Sequence, residues 1–166
     1  MEESLSDSQI KDYFHGKVPV MLYTELCAKP LRYTLNTETK SVIFLLRDSK
    51  DYGHWCAIFL KNAGKEQGIH IFDSYGNYPD CNQWKHKEDK MLEQYGNLLC
   101  KRLYDENVPV YFNHHVYQNN SPIIATCGRH CIMRILKKNL ATEEYYNFMN
   151  SLGHDYDQSV SREIRT

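Results

Sequence analysis

Residues 125–139, ATCGRHCIMRILKKN, contain the side chain best suited to nucleophilic chemistry. The pattern predicts a helix from about residue 127 to residue 138, so Cys127 would lie in its first turn. Backbone N–H groups without partners and the positive end of the helix dipole favour the thiolate there, and the thiolate is the reactive form of cysteine. Gly128 has no side chain, so we expect it to leave the approach to the sulfur and to the adjacent N–H open.

A nucleophilic cysteine needs a general base, and His54 is the candidate for that base. Segments 54–62 and 69–77 predict two strands of an antiparallel hairpin, joined by a loop that contains glycine. Because the strands are antiparallel, the start of the first lies beside the end of the second, which brings His54 and Asp73 to one edge of the sheet. Asp73 would then fix the imidazole tautomer and leave the other ring nitrogen facing Cys127.

The remaining segments predict the elements that must position these residues. We expect an N-terminal helix with Ile10, Tyr13 and Phe14 on one face, a buried strand over residues 41–48 and an extended or irregular segment over 18–27. Further predicted elements are a long helix within 82–107, a strand over 108–118 and a helix over 141–153 that ends at Gly153. This order predicts an α+β fold, with helices packed on a mostly antiparallel sheet, in a single domain spanning residues 1–166.

Composition excludes several classes of function. A formal net charge of −1 and a pI near 6.7 provide no general basic field for nucleic acid or an anionic membrane. The acidic N-terminus lacks the apolar core of a signal peptide, and no apolar run approaches the length of a membrane span. We therefore expect a soluble intracellular protein whose six cysteines are free thiols.

The order of the motifs resembles that of a known protease group. GHWCAIFL, then IHIFDSYG, then a glutamine ahead of TCGRHC, resembles the His-Trp, Asp, Gln, Cys-Gly order of the adenovirus maturation protease (adenain) and of the proteases that process ubiquitin-like proteins. The resemblance covers about residues 54–138 and implies the fold of these proteases. It also implies that Cys127 is the nucleophile, His54 the base and Asp73 the orienting acid, and that Trp55 packs beside the site and shapes the substrate groove.

The resemblance further implies an oxyanion hole made by the Cys127 backbone N–H and a side-chain amide. In the family that glutamine usually stands six or seven residues before the cysteine, whereas Gln118 stands nine before it and Asn120 stands seven before it. Either side chain has the required N–H donor. We favour Gln118, because the end of a predicted strand is a firmer platform than the following loop.

A metal site is a weaker interpretation of the same region. Cys127, Cys131 and His130, with His114 and His115 upstream, contain zinc-ligand types. The Cys-x-x-x-Cys spacing is not typical of zinc sites and no second cysteine pair follows, so we expect no metal and no cofactor. Cys56, Cys100 and Cys131 are instead expected to be small buried hydrophobic residues.

The resemblance implies a cysteine endopeptidase that acts as a monomer in capsid maturation, in a virus or a virus-like mobile element. Its substrates would be structural precursor proteins cut after small residues, chiefly glycine, in the host cytoplasm or nucleus and in the virion. A peptide activator joined through Cys100 or Cys81 is compatible with the resemblance, whereas the net charge argues against a DNA cofactor. The alternatives are a protease acting on ubiquitin-like proteins, a catalytically silent binding module and an acyl transferase.

Overall fold

The computed structural model describes residues 4–47, 53–81, 84, 97–121 and 125–166. The described chain contains one five-stranded sheet. Its strands are β1 (Val20–Leu22), β2 (Ser41–Arg47), β3 (Gly53–Lys61), β4 (Gly68–Phe72) and β5 (Val110–Phe112). Their spatial order follows the chain, β1-β2-β3-β4-β5.

The sheet is mixed. β2, β3 and β4 pair antiparallel, with Ala57 opposite Phe72 at one end of the β3–β4 ladder, so the predicted hairpin is confirmed. The two outer pairings, β1 with β2 and β4 with β5, are parallel. The prediction of a mostly antiparallel sheet is therefore wrong for both edges. Each edge strand is joined to its neighbour by a long connection that contains helix, and such a crossover permits parallel pairing.

Seven helices lie in the described residues. They are α1 (Asp7–Tyr13), α2 (Tyr23–Leu26), α3 (Leu31–Thr34), α4 (Leu98–Glu106), α5 (Cys127–Leu136), α6 (Thr142–Leu152) and α7 (Tyr156–Glu163). The first helix begins with a capping box, in which Ser6 and Gln9 each bond the other's backbone N–H. The fold is thus α+β, as the sequence predicts.

Alternation along β3 separates two hydrophobic cores. Trp55 and Ala57 belong to the core that includes residues of α1, α5, α6 and α7. Cys56 and Ile58 point to the opposite face and join a second core with residues of α2, α3 and α4. Residues i and i+1 of a strand face opposite sides, so β3 is covered on both faces. A central strand buried in this way is a rigid support for a site at its end.

Two predicted elements are shorter in the structure. The strand expected over 108–118 is limited to β5, because Asn113 turns its amide to the backbone of Asp73 and leaves the ladder. Of the long helix predicted within 82–107, the structure describes Trp84 and residues 97–107, which contain α4. Residues 82–83 and 85–96 lie outside the described residues. In the described part of the chain, no helix combines the length and apolar character needed to cross a membrane.

Candidate active site

Cys127 is the first residue of α5, which packs across β3. Its Sγ accepts the backbone N–H of Trp55 at 3.5 Å, and the residue is 8% exposed. The N–H of Gly128 also interacts with the sulfur. The first turn of a helix has N–H groups without backbone acceptors, so this position stabilises negative charge on sulfur.

His54 and Asp73 form a buried pair beside that sulfur. The imidazole Nε2 lies 2.7 Å from Asp73 Oδ1, and the two residues are 5% and 1% exposed. The imidazole also lies close enough to the Cys127 side chain for the two groups to shift each other's pKa. Because Nε2 is engaged by Asp73, Nδ1 is the ring nitrogen left for the thiol. The structure therefore brings together the three residues that the sequence assigns to one site.

Asp73 is held by more partners than His54 alone. The N–H of Tyr75 donates to Oδ1 at 2.9 Å, and the indole N–H of Trp84 donates to Oδ2 at 2.8 Å. The backbone of Asp73 bonds both ends of the Asn113 amide, at 3.1 and 2.7 Å. The Tyr75 ring stacks on His54 with centroids 4.8 Å apart. The carboxylate and the imidazole are thus fixed in orientation before any substrate binds.

Tyr75, Trp84 and Asn113, which hold Asp73 in place, were not predicted from the sequence as residues of the site. Trp84 lies within the long helix predicted over residues 82–107. The N–H of a buried indole needs an acceptor, and that need was the available signal. Tyr75 lies in a predicted turn and Asn113 in a predicted strand, so neither carried a signal of its own. Their partner, Asp73, becomes apparent only once the chain has folded.

The three side chains shift one another's protonation. Burial lowers the pKa of His54, but the charge and hydrogen bond of Asp73 outweigh burial and raise it overall. Burial raises the pKa of Cys127, yet His54 and the N–H groups of Trp55 and Gly128 together lower it below the usual thiol value. The pKa of Asp73 is also lowered, because His54 and the donors around it outweigh burial. The favoured state is a thiolate beside an imidazolium.

A known viral protein is similar to this chain over most of its length. No protein-family model matches the chain. A protein of the Sputnik virophage, named Uncharacterized protein V9, is 28% identical over 152 residues, which is 90% of this chain and 85% of the virophage protein. The chain therefore resembles a viral protein over most of its length.

Gln118 is anchored on Ser74, the residue that follows Asp73. Gln118 is 2% exposed, and its side-chain Oε1 accepts a hydrogen bond from the Ser74 hydroxyl at 2.6 Å. The backbone N–H of Gln118 donates to the Ser74 carbonyl at 3.0 Å. Ser74 immediately follows Asp73, so the amide is tied to the same chain end as the orienting acid. Asn120 is exposed in the following loop. The contact with Ser74 orients the Gln118 carbonyl oxygen and hence its NH₂ group.

This difference predicts unequal effects of two matched substitutions. Gln118→Ala should lower kcat for peptide hydrolysis by roughly 10²-fold or more, the loss expected for an oxyanion donor. Asn120→Ala removes the same functional group from an exposed position and should leave kcat near the wild-type value. Steady-state kinetics on one peptide compares the two. A large loss for Asn120→Ala alone would reverse the assignment.

A cleft of about 440 Å³ leads to Cys127. Its walls come from the N-terminal segment with α1, from β1 and from the adjoining ends of β2 and β3; Leu5, Met21, Leu45 and Trp55 are among the lining residues. The Trp55 indole N–H donates to the Leu5 carbonyl at 3.0 Å, which fixes one wall. An extended peptide laid along this cleft would pass the sulfur.

Gly128 has a packing role in the structure. A Cβ at this position would lie 3.2 Å from Leu5 Cβ and 3.3 Å from Trp55 Cδ1. Its small size therefore lets α5 pack closely against Trp55 and the N-terminal segment. The substrate side of Cys127 is shaped by the cleft.

The other predicted ligand types have separate partners. His115 bonds Glu143 at 2.8 Å, and His114 packs on the ring of Phe112 with centroids 5.2 Å apart. Cys131 is buried, and burial raises its pKa. Within the part of the chain that the structure describes, these cysteines and histidines do not form a group of three with their metal-ligand atoms close together.

In the described chain, one group of three residues has metal-ligand atoms within 4.8 Å of one another: His54, Cys56 and Asp73. Burial raises the pKa of Cys56 well above the usual value, and His54 and Asp73 bind each other.

All six cysteines are free thiols, and their environments differ. Cys56 is buried as expected, but Cys100 is exposed, which corrects its predicted burial. Its backbone N–H donates to Asp80 Oδ2 at 2.7 Å, and its thiol donates to the Pro79 carbonyl at 3.4 Å. Cys81 is buried. Of the two thiols considered for an activating peptide, Cys100 is the accessible one.

The opposite pKa shifts of two cysteines on one helix predict a selective alkylation profile. With limiting iodoacetamide, Cys127 should be labelled at pH values below the usual thiol range, because its pKa is lowered. Cys131 lies one turn further along α5 and should stay unlabelled, since its pKa is raised. Labelling of Cys127 should fall only as the pH drops through its lowered pKa. Peptide mapping by mass spectrometry across pH measures both; equal profiles for the two thiols would contradict the ion pair.

Proposed function

We propose that the protein is a cysteine endopeptidase with Cys127 as nucleophile, His54 as proton carrier and Asp73 as the group that orients His54. One observation carries the proposal: the buried contact of 2.7 Å between His54 and Asp73, with Cys127 beside the same imidazole. The position of Cys127 at a helix N-terminus and at the end of a cleft supports it.

The proposed reaction follows from these positions. The thiolate of Cys127 attacks the peptide carbonyl carbon, and the carbonyl oxygen takes the negative charge beside the Cys127 N–H and the Gln118 amide. When the C–N bond breaks, His54 gives its proton to the departing amine and a thioester remains. Water then attacks the thioester while His54 takes its proton, which releases the acid and restores the thiolate–imidazolium pair.

The proposed substrate class is a structural precursor polypeptide of a virus or virus-like element, cut after small residues such as glycine. The virophage relative supports a viral setting. In the chain, the hairpin with His54 and Asp73 comes first and the helix that begins at Cys127 follows. This order supports the adenain type of protease fold inferred from the sequence. On this proposal the protein acts as a monomer on polypeptides, and the accessible Cys100 is the thiol for an activating peptide.

A peptide library tests the proposal directly. The purified protein is incubated with peptides from a digested proteome, and new N-termini are sequenced by mass spectrometry. The expected result is cleavage at a restricted set of small residues, which Cys127→Ala does not produce. Probes that carry a ubiquitin-like domain with a reactive C-terminus are run in parallel. Labelling of Cys127 by these probes, with no peptide cleaved, would replace the viral substrate class with ubiquitin-like proteins; no cleavage and no labelling would contradict the enzyme assignment.

A further inference from the structure

A partly buried carboxylate on α7 is connected to the proposed active site through residues that adjoin it in the chain. Asp157, on α7, accepts hydrogen bonds from three residues. Its Oδ1 accepts the Thr126 hydroxyl at 2.6 Å and His130 Nε2 at 2.9 Å, and its Oδ2 accepts the Asn119 backbone N–H at 2.9 Å. The Asp157 side chain is 12% exposed, and that of His130 is 0% exposed.

The positions of these donors relate Asp157 to catalysis. Asn119 directly follows Gln118, the proposed oxyanion donor, and Thr126 directly precedes Cys127, the proposed nucleophile. One carboxylate therefore holds both ends of the connection between the oxyanion amide and the sulfur. α7 is seated on the same segment by a second contact, since the rings of Tyr156 and Tyr117 lie 5.3 Å apart.

We propose that Asp157 is a positioning residue of the proposed endopeptidase, which sets the distance between the Gln118 amide and the Cys127 sulfur by binding Asn119 and Thr126 with its two oxygens. The inference rests on the proposed function. It adds a group that touches neither substrate nor sulfur, and that acts on the oxyanion hole through its neighbours in the chain. The oxyanion hole requires this precision, because an amide displaced by about 1 Å costs roughly 10²-fold in rate.

The hydrogen bonds of Asp157 to Asn119, Thr126 and His130 are called the clamp below. His130 strengthens the clamp without taking part in proton transfer. Burial lowers the pKa of His130, against the raising effect of Asp157, so the imidazole is neutral near pH 7 and donates its Nε2–H to the carboxylate. It lies one turn after Cys127 on α5, so Asp157 also fixes the start of that helix. The cleft that leads to Cys127 is lined by α1, β1, β2 and β3, and Asp157 is not among its residues. Substrate binding should therefore be independent of the clamp.

Asp157→Asn tests the inference with minimal change of shape. An amide has one accepting oxygen in place of two, so it cannot serve both Asn119 and the Thr126–His130 pair. We expect kcat on an internally quenched peptide that the wild type cleaves to fall by roughly 10- to 100-fold. KM should stay unchanged. Alkylation of Cys127 by iodoacetamide should also keep its wild-type rate, because that reaction needs the thiolate but no oxyanion hole.

Asp155→Asn is the matched control. Asp155 lies two residues earlier and caps α7 by accepting the Gln158 N–H at 3.1 Å, and asparagine caps a helix equally well. This variant should keep the wild-type kcat. In a Gln118→Ala background, Asp157→Asn should have little further effect, since both changes damage the same oxyanion hole.

Several results would overturn the inference. They are an unchanged kcat in Asp157→Asn, independent additive losses in the double variant, or an alkylation rate that falls together with kcat. A wild type that cleaves no peptide would defeat the proposed function instead. Amide hydrogen exchange of Asn119 then tests the clamp alone: faster exchange in Asp157→Asn than in Asp155→Asn supports it, and equal exchange rejects it.

Discussion

Replacement of Cys127 by alanine is expected to reduce peptide cleavage by roughly 10⁵-fold or more, which leaves only the residual catalysis due to the oxyanion donors and substrate binding. The proposed mechanism has no second nucleophile in the cleft, and water alone would have to attack the carbonyl. The substitution removes one buried sulfur and the acceptor of the Trp55 N–H at 3.5 Å. The free energy of unfolding should fall by no more than about 1–2 kcal/mol.

Cys131→Ala is the matched control for this prediction. Cys131 is the same residue type on the same helix and is also buried, but its pKa is raised where that of Cys127 is lowered. Cleavage should continue in Cys131→Ala and stop in Cys127→Ala, with both variants unfolding cooperatively in a thermal melt. Cleavage by folded Cys127→Ala at the wild-type rate would end the nucleophile assignment.

The local parts of the site follow from the sequence by simple periodicity. The hairpin of β3 and β4 is set by two apolar strands and a short loop with glycine, and antiparallel pairing places His54 near Asp73. The start of α5 at Cys127 follows from the apolar run behind a glycine. These predictions depend on interactions within about twenty residues, where pattern and turn chemistry decide the structure.

Contacts between distant segments were beyond the sequence patterns. The parallel edges of the sheet depend on how long connections return, and the polar residues Asn113 and Asp157 are ordinary until their partners are known. α7 was not predicted, because its sequence, YDQSVSRE, has few apolar residues to mark a buried face. Asn113 and Asp157 were missed for this reason, whereas Cys127, His54 and Asp73 were predicted.

Replacement of His54 by alanine tests the other half of the ion pair. Burial raises the pKa of Cys127, and His54 supplies the largest of the opposing effects. Without the imidazole the pKa of Cys127 should rise, and each unit of rise lowers the thiolate fraction at neutral pH about tenfold. The leaving amine also loses its proton donor. We therefore expect both a loss of cleavage comparable to that of Cys127→Ala and slow labelling of Cys127 by iodoacetamide at pH 7.

Two comparisons separate this effect from general damage. His70, on β4, is a buried histidine that bonds the Glu66 carbonyl at 2.8 Å, and His70→Gln should leave labelling of Cys127 unchanged. Asp73→Asn should retain more activity than His54→Ala, because an orienting group is less essential than the base that it orients. Fast labelling of Cys127 in His54→Ala would mean that the helix N-terminus and the Trp55 N–H suffice to form the thiolate. His54 would then act only in proton transfer to the leaving amine.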